Sequence, residues 1–422
     1  MRLNILLINH YAGSPRHGME FRPYYLAREW VRMGHRVRIV AGSYSHIRAR
    51  QPQMSAGRHC DETMDGIDYR WYATPSYRGN GVGRVRSMLS FLWRLWRDGK
   101  ALAHDFKPDV VIASSTYPMD IWPARRIARM AGARLVYEVH DLWPLSPMEL
   151  GGMSRWHPFI LWVQMAEDYA YRHADKVVSM LPKALEHMRS RGMAADKFTC
   201  VPNGVDAAEW ADPAPLPPDV AQQLSRLKAS RLPIVAYVGT HGLANALDAL
   251  LDAAAMLQGK AQVLLVGPGP ERERLLARVR QEGLANVTML PSVPKQAVPS
   301  LLAEVDIAYI GLLPQPLFRF GISPNKLMDY MMAGKPIVNA IRAGNDPVAE
   351  AGCGLTVPPS DPPAIARAIE ELATLTAAQR QAMGQAGREF VLTHHTYPVL
   401  ARRFVVEVQA ERDNGAPAVR TE

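Results

Sequence analysis

A cation in the first turn of a helix is the feature of this chain that most invites chemistry. In Phe320-Gly321-Ile322-Ser323-Pro324-Asn325-Lys326-Leu327-Met328-Asp329-Tyr330, Ser323 reads as an N-cap and Pro324 as the first helical residue. Leu327, Tyr330 and Met331 then recur at helical spacing up to Gly334. The helix dipole disfavours Lys326 at that end, unless an anion lies there for the free N–H groups and the ammonium to share. Asp329 follows one turn later on the same side. Such a pair suits a nucleotide, with phosphates for the lysine and ribose hydroxyls for the carboxylate. An ordinary capped helix with a solvated lysine and aspartate is the other reading of the same residues.

A second place is His140-Asp141, at the end of the strand Leu135–Val139. A histidine on the carboxyl edge of a sheet can hydrogen-bond a sugar hydroxyl or act as a base, and it can equally be structural. Glycines mark three further strand ends: Gly13 to Gly18, Gly239-Thr240-His241-Gly242 and Gly267-Pro268-Gly269-Pro270. There the backbone can approach a ligand, or simply turn tightly. In the first loop, Gly13, Arg16, His17 and Gly18 could floor a site. Gly-x-Gly-x-x-Gly is absent there and no Walker A sequence occurs, which argues against a dinucleotide fold and a P-loop ATPase.

Short β-branched strands alternating with helical patterns position these residues. They predict a parallel sheet from strands 3–8, 37–41, 110–113, 135–139 and 176–180, with a helix at 20–33. A second set follows at 234–238, 262–266, 287–290, 307–310 and 336–338, with helices at 245–257 and 271–282 and one or two over 386–412. Proline-rich residues 212–218 and the turn at 201–206 place a boundary near 205. The 413–422 tail is polar and expected to fray.

The chain has 422 residues and a formal net charge of +9, enough length for two or three domains and a balance favouring anionic partners. Basic residues are dispersed, against nucleic-acid recognition. Cys60, Cys200 and Cys353 form no metal or disulfide pattern and read as buried thiols in a reducing compartment. No apolar run is long enough for a membrane span and the N-terminus is poor leader material, so a cytoplasmic protein, at most peripheral on a membrane, is expected. In residues 84–98, Val85, Met88, Leu89, Leu92, Trp93 and Trp96 form an apolar stripe among Arg84, Arg86, Arg94 and Arg97. That pattern fits a membrane-surface helix and a core-packing helix alike. Aromatics from Leu145 to Tyr171 could build an acceptor site or a lipid-facing wall.

Five stretches carry a family resemblance: Asn9–Pro15 with Met19–Tyr24, Glu138–Pro147, Val201–Asp206, Val238–Gly242 and Ser323–Leu327. In this order the chain resembles family 4 retaining glycosyltransferases, especially the WbuB-like branch of bacterial O-antigen, capsule and exopolysaccharide assembly. The resemblance implies an α/β GT-B fold, with two Rossmann-like domains facing a cleft and a C-terminal helix crossing back to the N-terminal domain. Residues 1–205 would bind the acceptor, 206–385 the nucleotide sugar, and 386–412 would return.

It also implies transfer with retention, with no cofactor and no metal, from a nucleotide-diphosphate sugar. The donor would be a UDP-linked amino or deoxyamino sugar, and the acceptor a lipid-linked saccharide. His140, Lys326 and Asp141 would be catalytic, Asp141 by holding His140. Gly13, Gly18, Asn203, Gly239, Thr240, His241, Gly267, Gly269, Ser323, Asn325, Lys326, Leu327 and Asp329 would contact the donor. Arg16, His17 and Arg22 would contact the acceptor.

Two departures stand out. The first of the family's paired glutamates falls on Gly321, and its usual arginine and lysine after Val238 are Thr240 and Asn245. A UDP-sugar 2-epimerase on the same architecture and a non-catalytic nucleotide-sugar-binding subunit remain the alternatives.

Overall fold

The computed structural model describes residues 2–18, 21–54, 57–79 and 81–409. Met19 and Glu20, the start of the helix expected at 20–33, residues 410–412 and the 413–422 tail lie outside them. The described chain divides into two compact units, one up to Pro202 together with Tyr397–Gln409, the other Asn203–Thr396.

Unit 1 is built on eight strands: β1 (Asn4–Ile8), β2 (Arg36–Gly42), β3 (His59–Met64), β4 (Ile67–Tyr72), β5 (Val110–Ala113), β6 (Arg134–Val139), β7 (Lys176–Ser179) and β8 (Phe198–Cys200). They lie in the order β3-β4-β2-β1-β5-β6-β7-β8. All neighbours are parallel except β3 and β4. Runs such as Ile5-Leu6-Leu7-Ile8 are apolar on both faces because helices cover both. Four of these helices matter here: α1 (Phe21–Arg32), α2 (Val82–Ala101), α3 (Ile121–Ala131) and α4 (Pro158–His173). Helix α2 reaches the core through Met88, Phe91 and Leu95, while Leu89, Trp93 and Trp96 of the expected stripe stay exposed.

Unit 2 has six parallel strands in the order β11-β10-β9-β12-β13-β14. They are β9 (Ile234–Val238), β10 (Gln262–Val266), β11 (Val287–Leu290), β12 (Ile307–Gly311), β13 (Ile337–Ala340) and β14 (Gly354–Thr356). Separate apolar clusters fill its two faces. Helix α5 (Asn325–Met332) follows β12, and α6 (Ala377–His394) packs on α5.

The last helix, α7 (Tyr397–Gln409), belongs to unit 1, so the return begins at Tyr397 rather than at 386. The physical reason lies in α6. A Cβ at Gly384 would come 1.8 Å from the Gly334 carbonyl oxygen, so α6 lies backbone to backbone on the end of α5. The carbonyl of His395 then accepts from Val205 N at 2.8 Å, holding the chain in unit 2 to its last residues. Beyond it, Tyr397, Leu400, Phe404, Val405 and Val408 enter the core of unit 1, and Trp30 Nε1 donates to the Ala401 carbonyl at 3.1 Å.

No described helix is long and apolar enough to cross a membrane. Cys353 is buried, whereas Cys60 and Cys200 are only half-buried, against the expectation of three buried thiols.

Candidate functional site

In unit 2 the strand order reverses between β9 and β12, and ligands of open α/β sheets sit at the carboxyl ends of strands on either side of such a point. Lys326 is placed there. Its loop leaves β12 and turns at Gly321, whose φ of +95° suits glycine. Asn345 then clamps Ile322, accepting from its N–H at 2.8 Å and donating to its carbonyl at 3.1 Å.

Asn203 and Ser323, both expected to touch a donor, touch each other. Asn203 N donates to Ser323 Oγ at 2.7 Å, and Asn203 Nδ2 donates to the Ser323 carbonyl at 2.8 Å. Ser323 is therefore not the N-cap. Pro324 occupies that position, and α5 opens without a side-chain cap. Leu327 is also misassigned: its side chain is buried in the unit 2 core, and its N–H bonds the Pro324 carbonyl at 3.1 Å. Asn325 is exposed at the opening of the helix.

Lys326 Nζ donates to Tyr237 Oη at 2.7 Å and to Asn245 Oδ1 at 2.6 Å, and it lies 4.6 Å from the Tyr237 ring centroid. Both partners are neutral, and no carboxylate pairs with this ammonium among the described residues. They are tied in turn to the β9 loop, since Tyr237 Oη and Asn245 Nδ2 donate to the Thr240 carbonyl at 2.7 and 3.0 Å. Burial without a counter-charge lowers the Lys326 pKa to about 8. Asp329, half-buried and without a hydrogen-bond partner among the described residues, is pushed by burial up to about 7.

His241 is fully buried, and neither ring nitrogen has a hydrogen-bond partner among the described residues. Burial takes its pKa down to about 4, with Arg272 and Lys326 adding to the fall.

The glycines of the second and third turns have a nearer reason than a ligand. A Cβ at Gly267 would lie 2.0 Å from the Gly239 carbonyl oxygen, and one at Gly269 would lie 2.3 Å from that of His241. The close approach that demands glycine at 267 and 269 is thus between two protein loops. Gly239 itself faces Lys326, whose Nζ would be 3.4 Å from a Cβ placed there.

In unit 1 the order reverses at β1, between β2 and β5, and His140 follows the neighbouring β6. His140 Nε2 lies 3.0 Å from Ser114 Oγ and 3.4 Å from Glu138 Oε2. Ser114 Oγ donates to Glu138 Oε2 at 2.6 Å, and Asn9 Nδ2 donates to the Ser114 carbonyl at 2.7 Å. Glu138 and Ser114 therefore hold this ring nitrogen, while Asp141, expected to hold His140, is exposed and feels its charge. Burial alone would raise the Glu138 pKa, but Arg22, His140 and Ser114 outweigh it and keep the carboxyl well below the usual range.

The acceptor contacts expected nearby are mostly spent on the fold. Arg22 is buried and pairs with Glu138 Oε1 through Nε and Nη2 at 3.0 and 2.9 Å. Its remaining donors reach the carbonyls of Val201 and Pro202 at 2.7 and 2.6 Å. His17 is buried, with Nδ1 2.9 Å from Ser14 Oγ and its ring edge-on to Trp71. Arg16 alone of the three is exposed, 3.8 Å from Glu62. The Gly13 carbonyl accepts from Tyr69 Oη at 2.9 Å, and Gly18 turns the chain at φ +83°. Residue types and spacing did not reveal Tyr237, Ser114, Glu138 and Asn345, whose partners lie far away in sequence. Asn245 was visible only as the replacement of a lysine.

Residues 17–204 match the family model described as glycosyl transferase 4-like domain, and residues 232–374 that of glycosyl transferases group 1. The probable glycosyltransferase WbjE of Pseudomonas aeruginosa is 23% identical over 333 residues, covering 76% of this chain and 80% of that one. The putative colanic acid biosynthesis glycosyl transferase WcaI of Escherichia coli (strain K12) is 26% identical over 208 residues, 48% of this chain and 50% of the other. Among solved structures, HepE of Anabaena in complex with UDP and glucose superposes with a TM-score of 0.65 at 16% identity, covering 98% of this chain and 100% of that one.

Proposed function

Because the chain belongs to the family 4 type of bacterial glycosyltransferases and has their GT-B fold, we propose that unit 2 binds a UDP-sugar at Lys326 and the opening of α5. On this reading the sugar is transferred with retention to a lipid-linked saccharide at the cytoplasmic face of a membrane, in surface-polysaccharide assembly. The observation that carries it is Lys326: a half-buried ammonium at an uncapped helix start, held among the described residues by neutral acceptors alone. Such a group favours an anion, and the N–H groups of the first turn point the same way.

The residues support a compact sequence of events. The donor diphosphate lies against Lys326 and the opening of α5, with its ribose hydroxyls donating to Asp329. The bond from the anomeric carbon to the phosphate oxygen breaks as the acceptor oxygen bonds to the same face. The acceptor's proton passes to the departing phosphate oxygen, so no protein base is required. Lys326 is already aligned when charge develops on the diphosphate, which is where preorganised donors lower a barrier most. His140, steadied by Glu138 and Ser114, offers a fixed polar edge for a sugar hydroxyl. Asn245, in place of a family lysine, leaves Lys326 as the cation of this pocket.

The test is transfer itself. Purified protein is incubated with a panel of UDP-sugars, a polyprenyl-diphosphate saccharide and EDTA, and the product is read by mass spectrometry and anomeric NMR couplings. A product with the donor's anomeric configuration, formed equally with EDTA, is expected. Conversion of UDP-sugar without any acceptor would replace this reading by epimerisation. An inverted product would overturn the mechanism.

A further inference from the structure

We propose that the face of unit 1 formed by α2, α3 and α4 docks on a bilayer containing anionic lipid. Helix α2 carries two apolar stripes. Met88, Phe91 and Leu95 satisfy the core, leaving Leu89, Trp93 and Trp96 with 49, 61 and 44% exposure. Tryptophans cost more to leave in water than a folding requirement explains, and clustered exposed apolar groups mark contact surfaces.

The stripe does not end at α2. Arg126 of α3 stacks over Trp96 at 5.0 Å, and Trp122 of α3 stacks with Trp162 of α4 at a centroid distance of 6.2 Å. On α4, Leu161 and Met165 are again exposed, at 45 and 60%. Between α2 and α3 an open trough of about 760 Å³ is lined by Trp96, Met119, Trp122 and Met130, with Arg125, Arg126 and Arg129 among its walls.

Charge selects the occupant. Arg86, Arg94, Arg97, Arg125, Arg126 and Arg129 have no carboxylate partner among the described residues. The one acid of α2, Asp98, is taken up by Tyr72 and Arg70. Helix α3 carries no acid at all. Aromatic rings with guanidinium groups beside them match the interfacial region of a bilayer, rings at headgroup depth and cations on lipid phosphates. A protein partner of ordinary composition would have to supply carboxylates to each arginine, whereas an anionic leaflet supplies phosphates everywhere. This rests on the transferase reading only for which leaflet is meant, since vesicle binding and nucleotide binding are separate measurements and either can fail alone.

The test is co-sedimentation of the full chain with vesicles of phosphatidylcholine alone or with phosphatidylglycerol, at low and high salt, beside UDP calorimetry on the same samples. Wild type is expected to partition onto the phosphatidylglycerol vesicles, less so in high salt. Trp93→Glu/Trp96→Glu and, independently, Arg125→Glu/Arg129→Glu should each weaken partitioning by at least about tenfold, with UDP affinity unchanged. Trp93, Trp96 and Arg129 are exposed and Arg125 is half-buried against Tyr169, so circular dichroism is run on each variant to confirm an intact fold, and Leu89→Gln gives a milder third variant. Equal partitioning of wild type and all variants would overturn the proposal. So would a wild type that ignores anionic vesicles but self-associates in sedimentation velocity and is made monomeric by the tryptophan variant.

Discussion

At the scale of single residues, the account turns on what burial does to two ionisable groups. Lys326 falls from 10.5 to about 8, so the folded chain holds this proton more weakly than the unfolded chain does. Stability is therefore reduced at neutral pH, by about 3 kcal/mol, and recovers as pH rises from about 8 toward the unfolded value. Lys326→Met should thus melt higher than wild type near pH 7, the gain trimmed by the lost bonds to Tyr237 and Asn245, while UDP binding falls at least about tenfold. A melting temperature that drops together with binding would show the lysine to be structural.

Bound anion raises the Lys326 pKa, whereas hydroxyls donating to Asp329 lower the Asp329 pKa from about 7. UDP affinity should then weaken below about 7 and again above about 8. Uridine, without phosphates, should show the acid limb only, and calorimetry across pH 5.5 to 9.5 reads both. An alkaline limb for uridine would contradict the assignment of that limb to Lys326.

Lys326 drew notice because a cation in a first helical turn breaks a local rule, and Asp329 because it follows one turn later on the same side. Arg22 and His17 were not legible in this way, since nothing near Arg22 announces a carboxylate 116 positions away at Glu138. That buried pair is structural, and Arg22→Met should cost roughly 3–5 kcal/mol of unit 1 stability, visible in thermal denaturation.

At the scale of elements, hydrophobic runs located the buried parallel strands well, because both of their faces are covered. They passed over β3, β4 and the three-residue edge strands β8 and β14. His59-Cys60-Asp61-Glu62-Thr63-Met64 is an exposed, largely polar edge strand with no apolar alternation to find. Its one clear signal was the turn, Asp65-Gly66, with φ of +50° and +80°, which is the hairpin dipeptide for two positive φ values. Turns also carry the sharpest element-scale prediction. Gly267→Ala should push the β9 and β10 loops apart, because its Cβ lands on the Gly239 carbonyl, and it should weaken UDP binding along with stability. Gly352→Ala, at φ +61° but with nothing within 4 Å, should cost only about 1 kcal/mol and leave binding intact. Equal effects of the two on UDP affinity, measured by calorimetry, would show that loop contact does not shape the pocket.

At the scale of the whole molecule, the last described helix makes unit 1 discontinuous in sequence. Helical spacing predicted helices over 386–412 but gave no means of dividing them. The division depends on α6 meeting α5 through paired glycines and on α7 burying five large apolar side chains, chiefly against α1 near the other end of the chain. Those five are together worth roughly 7–15 kcal/mol, as much as the entire stability of a domain. A chain ending at residue 396 should therefore lose the folded signal of unit 1 in circular dichroism, and a truncated chain melting like wild type would contradict this.

The central claim, a nucleotide diphosphate held by a lysine that has no other charge partner among the described residues, is tested most directly by titrating UDP into wild type and Lys326→Met at pH 7 in two buffers of different ionisation enthalpy, then repeating at pH 8.5. The account predicts tight binding by wild type alone, with net proton uptake at pH 8.5 as the ammonium is reclaimed by the diphosphate. Equal affinity of wild type and variant, or no proton uptake at pH 8.5, would contradict it.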